Sequence, residues 1–161
     1  MRFATADLCD EFGVEVRVAE PGLRDWGGIA SFAGPIETVR VLEDNALVRQ
    51  ALEAPGRGRV LVVDGGGSLR AALVGGNLAA LAHRNGWCGL VVHGCIRDTA
   101  EIAGILLGVR ALGAVPRRSA REGAGERDVP VTFAGITFSP GDYLYADADG
   151  IVVAERDVLA R

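Results

Sequence analysis

The sequence has no lysine; all 17 basic residues are arginine. That excludes a lysine Schiff base as a route to a stabilised carbanion, and it excludes the lysine of a phosphate-binding P-loop. Cysteine is scarce. Cys9, Cys88 and Cys95 form an odd set without a CxxC pair, which argues against a disulfide framework and a structural zinc site. There is no run of about 18 apolar residues and no charged-then-apolar opening segment, so neither a membrane span nor an export leader is read. The expectation is a soluble protein of the cytoplasm. Excess positive charge is also missing: the formal net charge is −4 and the pI about 5.2. Binding nucleic acid directly requires a basic face that displaces counterions, so none is expected. The one basic cluster, Arg117, Arg118 and Arg121, reads as a solvated loop.

What is present fits one α/β domain over residues 1–161. Nearly half the residues are apolar, and glycine is abundant at 23, as in a chain with many tight turns. Thr5 to Gly13 reads as a short helix, capped by Thr5 and ended by Gly13. Residues 14–18 alternate as a strand, and Trp26 anchors the loop 21–28. Strand material over 29–42 is broken by Gly34-Pro35. Asp44 caps a helix to about Glu53. Val60–Val63 and Leu90–Val92 are continuous apolar runs, the mark of strands buried on both faces. A helix over 77–84 lies between them, which makes a parallel crossover unit. After Asp98 come a short helix and a strand over 109–115. A charged loop at 117–128 follows, then β-ribbons at 131–133, 136–138, 143–145 and 151–153, with a turn at 147–150.

Chemistry is expected beyond the carboxyl ends of the two buried strands. Asp64-Gly-Gly-Gly-Ser68 looks like a nucleotide or methyl-donor loop. It lacks the GxGxxG spacing, though, and the next acid after Asp64 is Asp98, well past the 20 or so residues such a site uses. Three glycines suit close approach to another segment or to a small anion. Gly75-Gly76-Asn77-Leu78 opens a helix whose free N–H groups suit a carboxylate. Arg97-Asp98 is the sharpest pair. Arginine forks onto a carboxylate or an enolate oxygen. Aspartate holds a hard cation such as Mg²⁺, which keeps waters and accepts substrate oxygens. His93 reads as a packing residue and His83 as a surface one. Asp64 and Asp142 are candidate supporting acids.

Several segments carry a family resemblance: Leu8-Cys-Asp10, Gly56 to Ser68, Asn77-Leu-Ala79, Asn85-Gly-Trp87, Gly94-Cys-Ile-Arg-Asp98 and Gly141 to Gly150. The sequence resembles, nearly end to end, the family of the regulator of ribonuclease activity A and the 4-hydroxy-4-methyl-2-oxoglutarate aldolases. The resemblance implies a swivelling, phosphohistidine-domain-like β/β/α sandwich. It also implies a homotrimer or dimer of trimers with the site at a subunit interface. Aldolase members use Mg²⁺ or Mn²⁺ to cleave that substrate to two pyruvates, and many decarboxylate oxaloacetate. Their motif is an acid, twenty residues, then Arg-Asp. Arg97-Asp98 matches its end, with Asp98 on the metal and Arg97 on the enolate of a small 2-keto acid. Gly76 stands where the acid belongs. That departure predicts that decarboxylation survives better than aldol cleavage. Other members bind and inhibit an RNA-degrading endonuclease, but that type lacks the Arg-Asp ending. Relatives have also been labelled menaquinone-pathway methyltransferases.

Overall fold

Val60, Leu61, Val62 and Val63 are each fully buried, and the fold is organised around this run. The computed structural model describes residues 2–160. Its elements are α1 (Thr5–Phe12), β1 (Val16–Val18), β2 (Arg24–Asp25), β3 (Phe32–Arg40), α2 (Ala46–Glu53), β4 (Val60–Asp64), β5 (Ala72–Val74), α3 (Gly76–Arg84), β6 (Gly89–Ile96), α4 (Thr99–Ala103), β7 (Gly108–Ala114), β8 (Glu126–Arg127), β9 (Val131–Phe133), β10 (Ile136–Phe138), β11 (Tyr143–Asp147) and β12 (Gly150–Ala154).

One mixed sheet runs in the order β1-β12-β11-β3-β4-β6-β7-β2, with β5 beside β6 and β8 beside β3; β9 and β10 form a separate hairpin. Strands β3, β4, β6 and β7 are parallel, with Ile36, Val60, Gly89 and Gly108 in register. A parallel sheet needs cover on both faces. On one face, Leu61, Val63, Leu90 and Val92 share a core with Val48 and Leu52 of α2, Leu78 and Ala82 of α3, and Ile102 of α4. On the other, Val60, Val62 and Val91 meet Val131, Phe133, Phe138, Leu144 and Val153 of the antiparallel strands. The result is the β/β/α sandwich that the family resemblance implies.

Some local expectations change. Gly34-Pro35 does not break β3; the strand changes partners there. Residues 32–35 pair antiparallel with β11, and residues 36–40 pair parallel with β4. Proline brings no N–H to the ladder. A Cβ on Gly34 would lie 2.1 Å from the Gly58 carbonyl oxygen. Thr5 is not the cap of α1, because Ala4 holds that position. The Thr5 N–H and hydroxyl instead donate to the Asp147 carboxylate, each at 2.7 Å. The helix expected from Asp44 begins at Ala46, whose N–H donates to Asp44 Oδ1 at 3.0 Å. Residues 13–15 form a 3-10 turn, so the first strand starts only at Val16. No described helix is long and apolar enough to cross a membrane.

Candidate active site

Strands β5 and β6 are parallel neighbours and deliver their carboxyl ends to one edge. β5 ends at Val74 and enters α3 through Gly75. β6 ends at Ile96 and enters α4 through Arg97 and Asp98. The Arg97 N–H donates to the Val74 carbonyl at 2.9 Å and ties the two ends together. Asp98 is left-handed, with φ 59°, a conformation that aspartate tolerates better than most residues. Its carboxylate lies on the start of α3, where the Gly76 N–H donates to Oδ2 at 2.8 Å. One orphan donor of the helix is thereby satisfied. The Asp98 Oδ1 has no hydrogen bond to the described residues.

Two consecutive glycines make room for two carboxylates. A Cβ on Gly75 would sit 2.8 Å from Asp98 Oδ2, and one on Gly76 would sit 2.1 Å from Glu101 Oε2. Glu101 follows Asp98 by three residues, in the first turn of α4, of which Asp98 is the left-handed N-cap residue. A carboxylate therefore fills the volume over Gly76, where the resemblance leads one to expect an acid. The sequence reading missed Glu101; the Asp98-x-x-Glu101 spacing was its available signal.

The cleft in front of this edge is narrow, with a cavity volume of about 40 Å³. Gly75, Asn77, Leu78, Arg97 and Asp98 line it, and so do Arg49, Arg118 and Arg121. Arg97, Asp98 and the Gly75–Leu78 turn therefore do meet, as the sequence predicts. Arg118 and Arg121 are exposed on a loop, as read, and that loop also forms one wall of the cleft. Their segment is pinned. The Ala72 N–H donates to the Arg117 carbonyl at 2.8 Å, the Asn45 N–H to the Ala120 carbonyl at 2.9 Å, and the Ala120 N–H to the Glu43 carbonyl at 2.9 Å. The buried Asp44 carboxylate accepts from the N–H groups of Glu122 at 2.9 Å and Gly123 at 3.1 Å. Burial works against the ionised form of Asp44, but N–H donors from Ala46, Glu122, Gly123 and Ala124 outweigh it and hold the carboxyl below its ordinary range.

Asp98 and Glu101 are the groups suited to a metal. Among the described residues no cluster of three or more His, Cys, Asp or Glu side chains exists. Two carboxylates over a glycine pair fit a hard divalent cation that keeps waters and admits substrate oxygens. They lack the Cys or His ligands around which structural and catalytic zinc sites are built.

The other candidates lie elsewhere. The His93 ring stacks on Phe133 at 4.6 Å with planes 8° apart, and its Nδ1 has no hydrogen bond, so it packs, as predicted. His83 is exposed on α3. Asp64 accepts from the Gly66 N–H at 2.9 Å, and Asp142 pairs with Arg17 at 2.7 Å; neither lines the cleft. The Gly65 and Gly67 N–H groups both donate to the His93 carbonyl. All three glycine N–H groups are thus spent internally, and the loop serves close approach to a neighbouring segment. Burial pushes the Cys88 thiol up to about 11, which leaves little thiolate for nucleophilic chemistry.

The family model described as Aldolase/RraA (RraA-like) matches residues 5–153. The chain belongs to this family. A protein of Alkalilimnicola ehrlichii that carries the provisional name 4-hydroxy-4-methyl-2-oxoglutarate aldolase is 60% identical over 159 residues, covering 99% of each chain. A Burkholderia multivorans protein of the same provisional name is 58% identical over 159 residues, covering 96% of this chain and 97% of its own. Two solved structures share the fold throughout. One is titled S-adenosylmethionine:2-dimethylmenaquinone methyltransferase, from Geobacillus kaustophilus, with 53% identity, a TM-score of 0.97 and 99% of both chains covered. The other is titled the RNA-processing inhibitor RraA of Thermus thermophilis, with 49% identity, a TM-score of 0.94, and 97% of this chain and 94% of that one covered.

Proposed function

We propose that this RraA-like protein is a divalent-metal-dependent lyase that releases pyruvate from small 2-keto acids through an enolate. Its reactions are cleavage of 4-hydroxy-4-methyl-2-oxoglutarate to two pyruvates and decarboxylation of oxaloacetate. The observation that carries the reading is the placement of Arg97 and Asp98 against Gly75 in the cleft, with the Glu101 carboxylate against the adjoining Gly76, outside the cleft lining. Asp98 and Glu101 hold Mg²⁺ or Mn²⁺. When bound, that ion supplies Lewis-acid polarisation of the keto oxygen. The Arg97 guanidinium faces the cleft, with its Nη1 tethered to the Pro116 carbonyl at 3.4 Å. It stabilises negative charge as the enolate oxygen develops. The Asn77 and Leu78 N–H groups, in the first turn of α3, orient the substrate carboxylate. Gly76 drops out of that role because its N–H is spent on Asp98; it contributes by lacking a side chain.

Aldol cleavage also needs a base for the C4 hydroxyl proton. Glu101, against Gly76, would orient a water for that step; decarboxylation lacks the step and is the reaction expected to survive better. The homotrimer or dimer of trimers is part of this proposal; the exposed Leu42, Leu69 and Leu106 are surfaces for such contacts. The test is pyruvate release from both substrates with Mg²⁺ or Mn²⁺, then with chelator, and with Asp98→Ala. Turnover lost with chelator and in the variant supports the reading; equal turnover in Asp98→Ala overturns it. The likeness to the Thermus protein favours a second reading, a non-catalytic inhibitor of an RNA-degrading endonuclease. Capture of the endonuclease by a protein without turnover would support that one. The internally spent glycine loop offers no donors for a methyl-donor cofactor, so we do not adopt the methyltransferase reading.

A further inference from the structure

Arg110 of β7 is only 4% exposed, and it forms no ion pair with a carboxylate among the described residues. Its Nη2 donates to the carbonyls of Ala30 at 3.0 Å and Asp147 at 2.6 Å. Its Nε is buried and has no partner. The acids that the fold places nearest are turned elsewhere. Asp25, its register partner on β2, accepts from the Gly27 N–H at 3.2 Å. The Asp147 carboxylate accepts from Thr5. The Phe32 ring centroid, 6.0 Å from the guanidinium carbon, stands at the limit of a useful cation–π contact. A buried cation is expensive unless it is paired and its donors are filled.

This guanidinium helps to line a pocket of about 200 Å³ between residues 19–23 and the β11–β12 turn. The pocket shares no residue with the Arg97 cleft. We infer that it binds a small monocarboxylate with a short apolar tail, whose carboxylate is the counter-charge of Arg110. A guanidinium and a carboxylate match in charge-assisted, two-bond geometry. Pro21, Leu23 and Ile151 of the same pocket give the tail an apolar wall. The volume lies below the roughly 300 Å³ at which sites for larger ligands begin, so the occupant is small. Glu20 and Asp149 line the pocket as well, and neither reaches Arg110. The Glu20 carboxylate lies against Gly135, where a Cβ would come 2.3 Å from Oε1. These two exposed acids repel a second negative charge. They set a monocarboxylate apart from phosphate and from dicarboxylates.

The experiment titrates the full chain with propionate by calorimetry and repeats the titration in inorganic phosphate. Wild type should bind one propionate with a Kd of about 1 mM or tighter, and phosphate should not displace it. Arg110→Gln should weaken binding about tenfold or more. Ala148→Trp, at the exposed rim of the pocket, should do the same with Arg110 and its bonds in place, so the outcome does not hang on how Arg110→Gln folds. Arg97→Ala, in the cleft, should leave propionate binding unchanged. Glu20→Gln/Asp149→Asn should let phosphate compete. No propionate binding to wild type, binding that Ala148→Trp leaves intact, or displacement by phosphate in wild type overturns the inference. Propionate binding that appears only in Glu20→Gln/Asp149→Asn also overturns it, because one of those acids is then the counter-charge of Arg110.

Discussion

A single methyl group at Gly76 should strip the site of one of its two carboxylates while leaving the fold intact. A Cβ there would lie 2.1 Å from Glu101 Oε2, 2.3 Å from its Cδ and 2.7 Å from Oε1. Comfortable non-bonded contact begins near 3.5 Å, so the carboxylate must retreat by more than about 1 Å. It is the far end of a flexible, exposed side chain, and it can swing into water for about 1 kcal/mol. Alanine is a better helix residue than glycine by up to about 1 kcal/mol, so the two effects roughly cancel in stability. Activity has no such offset. Displacing a group that supports a metal or its substrate typically costs about 10–100-fold. The assay is pyruvate release from oxaloacetate under saturating Mn²⁺, with thermal unfolding measured on the same preparation. Gly76→Ala should melt with wild type and turn over about 10–100-fold more slowly. Gly76→Asp combined with Glu101→Ala returns a carboxylate to the same volume and should recover activity over either Gly76→Ala or Glu101→Ala. Wild-type turnover in Gly76→Ala would refute a role for the Glu101 carboxylate.

Two further outcomes follow from the packing. Asp44 has its carboxyl held below the ordinary range, so its contribution is present above the unfolded value of about 3.9. It is lost as pH falls through the folded pKa. Asp44→Asn should cost about 2–3 kcal/mol at pH 7 and progressively less as pH falls below about 3.9, read from urea unfolding across that range; a loss that does not change with pH would contradict the charge-based account. Gly108→Ala puts a Cβ 2.0 Å from the Phe32 ring, and overpacking of this kind costs about 1–3 kcal/mol. A urea midpoint unchanged from wild type would mean that Phe32 is free to move.

Much of the fold was legible in the sequence because buried parallel strands announce themselves. Val60–Val63 and Leu90–Val92 are uninterrupted apolar runs, and they became β4 and the centre of β6. The strands β2 and β8 span two residues each, too few for any periodicity to emerge, and the three-residue β5 continues an apolar stretch that shows no alternation. β5 matters most of these, because it carries Gly75 to the site. Gly34-Pro35 was read as an interruption because both residues weaken a ladder locally. The structure uses them to pass one strand between two sets of partners. At the site, Arg97-Asp98 and the start of α3 were legible from residue type and position. Glu101 was not, because its role depends on an absent side chain at Gly76, twenty-five residues earlier. The place of Arg118 and Arg121 in the cleft wall was not legible for a related reason. The Asp44 carboxylate and the Asn45 and Ala72 N–H groups hold their segment in place, and a local charge pattern records nothing of such distant anchors.

The bond between Thr5 and Asp147 closes a loop of 142 residues. Strand β1 has its partner in β12, so the whole amino-terminal edge waits on the last hairpin. Without Asp147 and β12, Thr5 loses its acceptor and β1 its partner strand, so a change in the last hairpin is felt at the opposite end of the sequence.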